Sequence, residues 1–260
     1  MRITILGSGS SAGTPMIGRG WGACDPENSK NRRLRASILV EGEDTTFLVD
    51  ASPDLRQQIL GAGVERMDAV LFTHAHADHL HGIDDLRGIN RAMGAPLDVF
   101  ADANTLDTIR NRFSYVLEPL AEGATFYYKP VLIPHEISDG AEFAVGSYTV
   151  AAFDQDHGLM RTLGFRVGSF AYSTDVVSLP EAAFEAVAGV DTWVIGTLTD
   201  VEHPTHAHVG KALKWIERVG PRRAILSHLS ADLDYETLAT SLPDGVEPAY
   251  DGMVIDIPGA

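Results

Sequence analysis

The residues best suited to chemistry in this sequence lie in one short run, His74-Ala75-His76-Ala77-Asp78-His79. Side chains two apart in an extended chain point to one side, so His74 and His76 can converge on a single cation. If the chain then turns into a helix, Asp78 and His79 project elsewhere and can hold a second ion close by. Imidazole and carboxylate are borderline-to-hard donors that suit zinc, manganese or iron. The run alone does not complete two metal sites. Three further residues stand at comparable places downstream: His157, Asp175 and His228. Each follows a predicted strand, where loops collect at a sheet edge and sites form on rigid supports.

To gather those residues the chain needs strands that end at a common edge. Apolar alternation and short apolar runs predict strands at Arg2–Leu6, Ser37–Glu41 and Thr46–Asp50, with Gly42 to Asp44 turning a hairpin between the last two. Ser52 as N-cap and Pro53 open a helix that Gly61 or Gly63 closes. A buried strand at Ala69–Phe72 leads into the histidine run. Further strands are predicted at Leu97–Phe100, Val131–Ile137, Tyr148–Asp154, Leu163–Val167, Ala171–Ser173, Thr192–Ile195 and Ala224–Ser227. Helices are predicted at Asp84–Met93, Thr105–Leu117, Pro180–Val187 and Val209–Val219. No linker or composition shift divides the chain, so residues 1–260 read as one domain with two sheets inside and helices outside.

Composition narrows the partners. Asp and Glu number 36 against 20 Lys and Arg, a formal net charge of -16, which excludes a broad polyanion-binding surface and with it long nucleic acid as the main partner. No run approaches the ~18 apolar residues that span a bilayer. The opening MRITILGSGSSAGTP lacks the pattern of a signal peptide, and the single cysteine, Cys24, permits no internal disulfide. The cytoplasm is the expected compartment. Lys30, Arg32, Arg33 and Arg35 form a basic cluster, either to attract an anionic substrate or to balance acids on a surface loop. Gly7 to Thr14 lacks the Gly-Lys-Ser/Thr ending of a nucleotide P-loop and reads as a tight loop near the site's rim.

Taken together, HAHADH, a spaced histidine, an aspartate after AYST and a late histidine after LS resemble the metallo-β-lactamase superfamily, from ILGSGSSAGTP to LSHLS. The resemblance implies an α/β fold, an αββα sandwich of two mixed β-sheets flanked by helices. It implies two divalent metal ions, Mn2+ or Zn2+, at one edge of the sheets. One would sit on His74, His76 and His157, the other on Asp78, His79 and His228, with Asp175 bridging both. Asp78 would share in catalysis as well as ligation. Asp50, in FLVDAS, resembles the family's buried aspartate that orients a ligand histidine. Its alternative is a turn residue ahead of Ser52-Pro53.

Antibiotic-hydrolysing members use a cysteine in the region of Asp175. A bridging carboxylate instead supports two ions about 3.5–4 Å apart, suited to attack on phosphorus by a shared hydroxide. His203-Pro204-Thr205-His206-Ala207-His208 precedes a predicted helix. His206 matches the Pro-Thr-His histidine that assists the leaving group in the superfamily's phosphodiesterase branch, helix capping by Thr205 or His206 being the alternative. His208 either touches substrate or stands on a solvated face. His81, His135 and His203 default to non-ligand roles. The expected substrate is a small cyclic or nucleotide-like phosphate ester, as in the similar cyclic phosphodiesterase of phosphonate breakdown. Hydrolysis of a carboxylic ester, thioester or lactone on the same fold is the alternative, followed by a ribonuclease Z-like tRNA nuclease. Relatives often hold a structural zinc on clustered cysteines and a later histidine. Here Cys24 stands alone and Ala231 takes the histidine's place, so that zinc is not expected. A homodimer is a family-level expectation; membrane association is not expected.

Overall fold

A computed structural model describes residues 1–258 of the chain. The first sheet contains β1 (Arg2–Gly7), β2 (Ser37–Glu41), β3 (Thr46–Val49), β4 (Ala69–Leu71), β5 (Leu97–Ala101) and β6 (Leu132–Glu136). The second contains β7 (Glu142–Val145), β8 (Tyr148–Asp156), β9 (Arg161–Val167), β10 (Phe170–Ser173), β11 (Thr192–Gly196), β12 (Arg223–Ser227) and β13 (Val246–Pro248). A last short strand, β14 (Val254–Asp256), returns to pair with β1. The sheet orders are β14-β1-β2-β3-β4-β5-β6 and β13-β12-β11-β10-β9-β8-β7. Both sheets are mixed: β3 to β6 run parallel, as do β10 to β13, and the remaining pairs are antiparallel.

Period-two alternation assigns each strand residue to a layer. Ile38, Val40, Phe47, Val49 and Leu71 enter the apolar layer between the sheets, where they meet Phe165 and Val194. The intervening Leu39, Leu48 and Val70 face outward, under α1 (Leu55–Ala62), α2 (Ala77–Leu80), α3 (Arg87–Met93) and α4 (Ala103–Arg112). On the far side, Trp193, Ile195 and Leu226 lie beneath α5 (Glu181–Ala186), α6 (Val209–Val219) and α7 (Tyr235–Ser241). Strands buried on both faces read as continuous apolar runs, as β2 and β12 do. The result is the expected αββα sandwich. No helix among the described residues is long and apolar enough to cross a membrane.

Several boundaries differ from expectation. Ser52 does not stand at the N-cap of α1; Asp54 does, without a side-chain cap bond, and the Ser52 hydroxyl accepts the Asp54 N–H at 3.1 Å in the turn before it. The helix expected to reach Leu117 ends at Arg112, because Phe113 leaves helical geometry and a 3-10 turn over Ser114–Val116 follows. The segment expected as a helix from Asp84 begins as a 3-10 turn over Ile83–Leu86, and α3 starts only at Arg87. β7, β13, β14 and α7 were not anticipated.

Candidate metal centre

Sheet order brings the ends of β3, β4, β8, β10 and β12 to one edge, the usual place for a site on parallel strands. Beyond β4 the chain bends at Thr73 and is extended at His76, the residue before α2, and this single-turn helix carries Asp78 and His79. His157 begins the turn between β8 and β9, Asp175 follows β10, and His228 follows β12. Two donor sets result: His74, His76, His157 and Asp175, and Asp78, His79, Asp175 and His228. Within each, the donor atoms lie within 4.8 Å of one another.

Asp175 joins the two sets with separate oxygens. Its Oδ2 lies 3.6 Å from His74 Nε2 and 3.5 Å from His157 Nε2, whereas Oδ1 lies 3.2 Å from His79 Nε2 and 3.0 Å from His228 Nε2. Asp50, Asp175 and His228 have φ of 65°, 49° and 58°, and no other non-glycine residue among those described has positive φ. Such geometry stores backbone strain at functional positions.

Hydrogen bonds behind the donors settle which ring nitrogen faces inward. Asp50 Oδ2 lies 2.6 Å from His79 Nδ1 and accepts the Thr73 hydroxyl at 2.8 Å. With its proton committed to Asp50, Thr73 Oγ1 can only accept from His74 Nδ1, 3.0 Å away. Asp50 thus orients His79 directly and His74 through Thr73. His157 Nδ1 donates to the Thr205 carbonyl at 2.7 Å. In each ring Nε2 is left as the inward-facing donor, the arrangement metal ligation requires. The Gly158 turn beside His157 has φ +81°, and a Cβ there would meet the Pro204 carbonyl at 2.8 Å, so only glycine allows this approach.

The pocket suits a divalent cation. His74 Nε2, His79 Nε2, His228 Nε2 and Asp78 Oδ2 are all buried with no hydrogen-bond partner. Burying unsatisfied polar atoms is unfavourable unless something else binds them. Burial pushes His74 well below the usual histidine range, keeping its lone pair free. Burial would also lower His79, but Asp175, Asp78 and Asp50 outweigh it and hold it well above that range. Burial would raise Asp175, but His228 and His79 hold it well below the carboxylate range. A cation binding here competes with the proton on His79.

His206 approaches from the open side. Its Nε2 lies 3.3 Å from Asp175 Oδ2, and its ring stacks at 14° on His228 and stands at 84° to His157. It lines a cavity of about 310 Å³ together with Ser11, His76, His157, Leu159 and Asp175, and no Lys or Arg lines that cavity. Neither Thr205 nor His206 caps α6; His208 occupies that position and does not line the cavity. His81 packs on Phe113, and His135 pairs with Asp98, both away from the donors. His203, assigned no role from sequence, packs against His206 with ring centroids 5.1 Å apart.

The basic cluster does not gather around the cavity. Arg33 is buried and donates to the carbonyls of Ser230 and Leu233, tying the N-terminal loop to the segment after His228. Arg35 pairs with Asp54, and Lys30 lies over the rings of Tyr235 and Tyr250. Cys24 Sγ meets the carbonyls of Ala231 and Leu233 and the Arg33 guanidinium, a set that does not fit zinc. The glycine-rich loop runs along the rim, with Ser10 N–H bonded to the Leu229 carbonyl.

Comparison with known proteins agrees with this architecture. The family profile described as a beta-lactamase superfamily domain matches residues 45–229. A Porphyromonas gingivalis protein named octanoyltransferase is 36% identical over 265 residues, which is 100% of this chain and 52% of that protein. A ribonuclease Z of Anoxybacillus flavithermus is 32% identical over 171 residues, 64% of this chain and 48% of that protein. The chain therefore spans about half the length of these curated relatives. A crystal structure described as a new diphosphatase from the PhnP family superposes with a TM-score of 0.89 at 31% identity, covering 98% of this chain and 97% of that one.

Proposed function

Because the chain belongs to the metallo-β-lactamase superfamily, as a metal-dependent hydrolase of that fold, we propose that it hydrolyses a small phosphodiester or related phosphate ester, cyclic or nucleotide-like. The observation that carries this reading is the position of Asp175, whose two oxygens divide between the donor sets while His206 faces the same carboxylate from the cavity. The likeness to a protein described as a diphosphatase supports it.

In this reading His74, His76 and His157 would hold one ion and Asp78, His79 and His228 the other, with Asp175 offering an oxygen to each and manganese or zinc as the metal. Such a pair, when bound, neutralises charge on phosphoryl oxygens and lowers the pKa of a water molecule. The protein's own groups do the rest. Asp50, Thr73 and the Thr205 carbonyl keep the ligand rings in register. His206 presents Nε2 to the cavity and donates a proton from it to the departing oxygen. Leu159 and Met160 form an apolar side of the cavity, and with no Lys or Arg in its lining it suits a small substrate better than long nucleic acid.

A second reading, hydrolysis of a carboxylic ester, thioester or lactone, draws on that apolar side and on the acyl-transfer name of a relative of which this chain covers about half. A substrate panel with manganese- or zinc-loaded protein separates the two. Cleavage of bis(p-nitrophenyl) phosphate and of cyclic phosphates is expected, and His206→Ala should depress turnover with metal content intact. Faster turnover of a lactone, a thioester or a tRNA precursor than of any small phosphate ester would overturn the proposal.

A further inference from the structure

We propose that His203 is a positioning residue for His206: with Thr205 it keeps a proton on Nδ1 of the His206 ring, so that Nε2 is the atom that gives up and regains its proton in the cavity. The inference rests on the leaving-group role just given to His206.

Donor and acceptor accounting carries the argument. His203 Nδ1 accepts the backbone N–H of Thr205 at 3.3 Å, so in the neutral ring its proton sits on Nε2. The same Nδ1 faces Thr205 Oγ1 at 3.3 Å and His206 Nδ1 at 3.3 Å. His206 Nδ1 in turn lies 2.8 Å from Thr205 Oγ1. One assignment sets no lone pair against another: His206 Nδ1–H donates to Thr205 Oγ1, Thr205 Oγ1–H donates to His203 Nδ1, and a second ring proton on His206 Nε2 faces Asp175 Oδ2 at 3.3 Å. The reverse assignment would set two bare ring nitrogens against each other. Burial, and next the nearness of His206, push His203 below the usual histidine range, which keeps it neutral and able to accept.

The segment is held in place from outside. Thr205 O receives the His157 Nδ1 proton, and Ala207 N–H bonds to the Val176 carbonyl at 2.6 Å. The imidazole of His203 therefore meets a residue whose backbone is fixed on either side.

The consequence is a ring that needs no tautomer exchange during turnover. The oxygen of water bonds to phosphorus while the bond to the leaving oxygen breaks with its electron pair on that oxygen. His206 enters the step protonated on both ring nitrogens; its Nε2 proton passes to the leaving oxygen, and the ring remains as the neutral Nδ1–H form its neighbours require. The proton released by the attacking water restores Nε2.

Two measurements test this. Long-range 1H–15N spectra of the zinc-loaded protein should show the proton on Nδ1 of His206 and a bare Nδ1 on His203, and His203→Ala should release the His206 preference. A proton on His203 Nδ1 would overturn the proposal whatever the substrate proves to be. In kinetics, His203→Ala should slow esters with alkoxide leaving groups about 10-fold or more in kcat, with a smaller effect on p-nitrophenyl esters. His203→Asn, which keeps an acceptor at the Nδ1 position, should recover most of that loss. Adding His203→Ala to His206→Ala should cause no further loss, because His203 acts through His206. A uniform loss across leaving groups that adds to His206→Ala would show a purely structural role and sink the inference. Wild-type protein that cleaves only carboxylic esters would overturn the phosphodiester reading alone, since the same leaving-group series can be run on that ester class.

Discussion

Asp50 Oδ2 stands 2.6 Å from His79 Nδ1 and 2.8 Å from Thr73 Oγ1, so one buried carboxylate governs two rings of different donor sets. Its other oxygen accepts the Thr73 N–H at 2.8 Å, which leaves Asp50 no freedom to rotate. Residues behind metal ligands typically change affinity about 10- to 100-fold when removed. Asp50→Ala should weaken metal binding by that range, measured by competition with a chromogenic chelator. Thr73→Val, which breaks only the connection to His74, should do so less. Unchanged affinity in both variants would show that packing alone orients the rings.

His228 has φ 58° where an L-residue without local hydrogen bonding is strained. An alanine there loses the ring but keeps the strain, whereas glycine loses both. In metal-free protein His228→Gly should therefore be more stable than His228→Ala by about 1 kcal/mol. Urea unfolding of the two variants under chelator decides it, and equal midpoints would mean that the left-handed backbone carries no strain here.

Asp251 links folding to pH away from the metal centre. Burial raises its pKa to about 6 from an ordinary 3.8, although Leu34 N–H and the Ser8 N–H and hydroxyl donate to it. Between those values the folded chain keeps the proton that the unfolded chain has released. Stability from this group is therefore complete below about pH 4 and lost as pH rises through about 6, a change on the order of 3 kcal/mol. Asp251→Asn removes the titration, so its penalty should be largest near pH 4 and shrink toward pH 7. Melts across that range check the slope; a penalty that grows with pH would place the shift in the opposite direction.

How much of this was legible depended on the distance over which each feature is decided. The His74–His79 run was readable because extended backbone followed by one helical turn is local geometry. The helix expected through Leu117 was overextended because Phe113 and Val116 keep apolar spacing while the chain changes to a 3-10 turn. β13 and β14 have three residues each, too few for alternation to register. Arg33 looked like a surface charge, yet it is buried, because the carbonyls that receive it lie about 200 positions away.

The sequence by itself determined the kinds of donor and their placement just past strand ends, since ligand chemistry belongs to the side chain and strand ends to local pattern. Only the tertiary structure decided which atoms meet. That Asp175 divides its oxygens between two donor sets, that Asp50 reaches His74 through Thr73, and that His203 lies against His206 all follow from backbone paths and sheet order. Those are set by packing between residues far apart in the chain, and no local pattern encodes them.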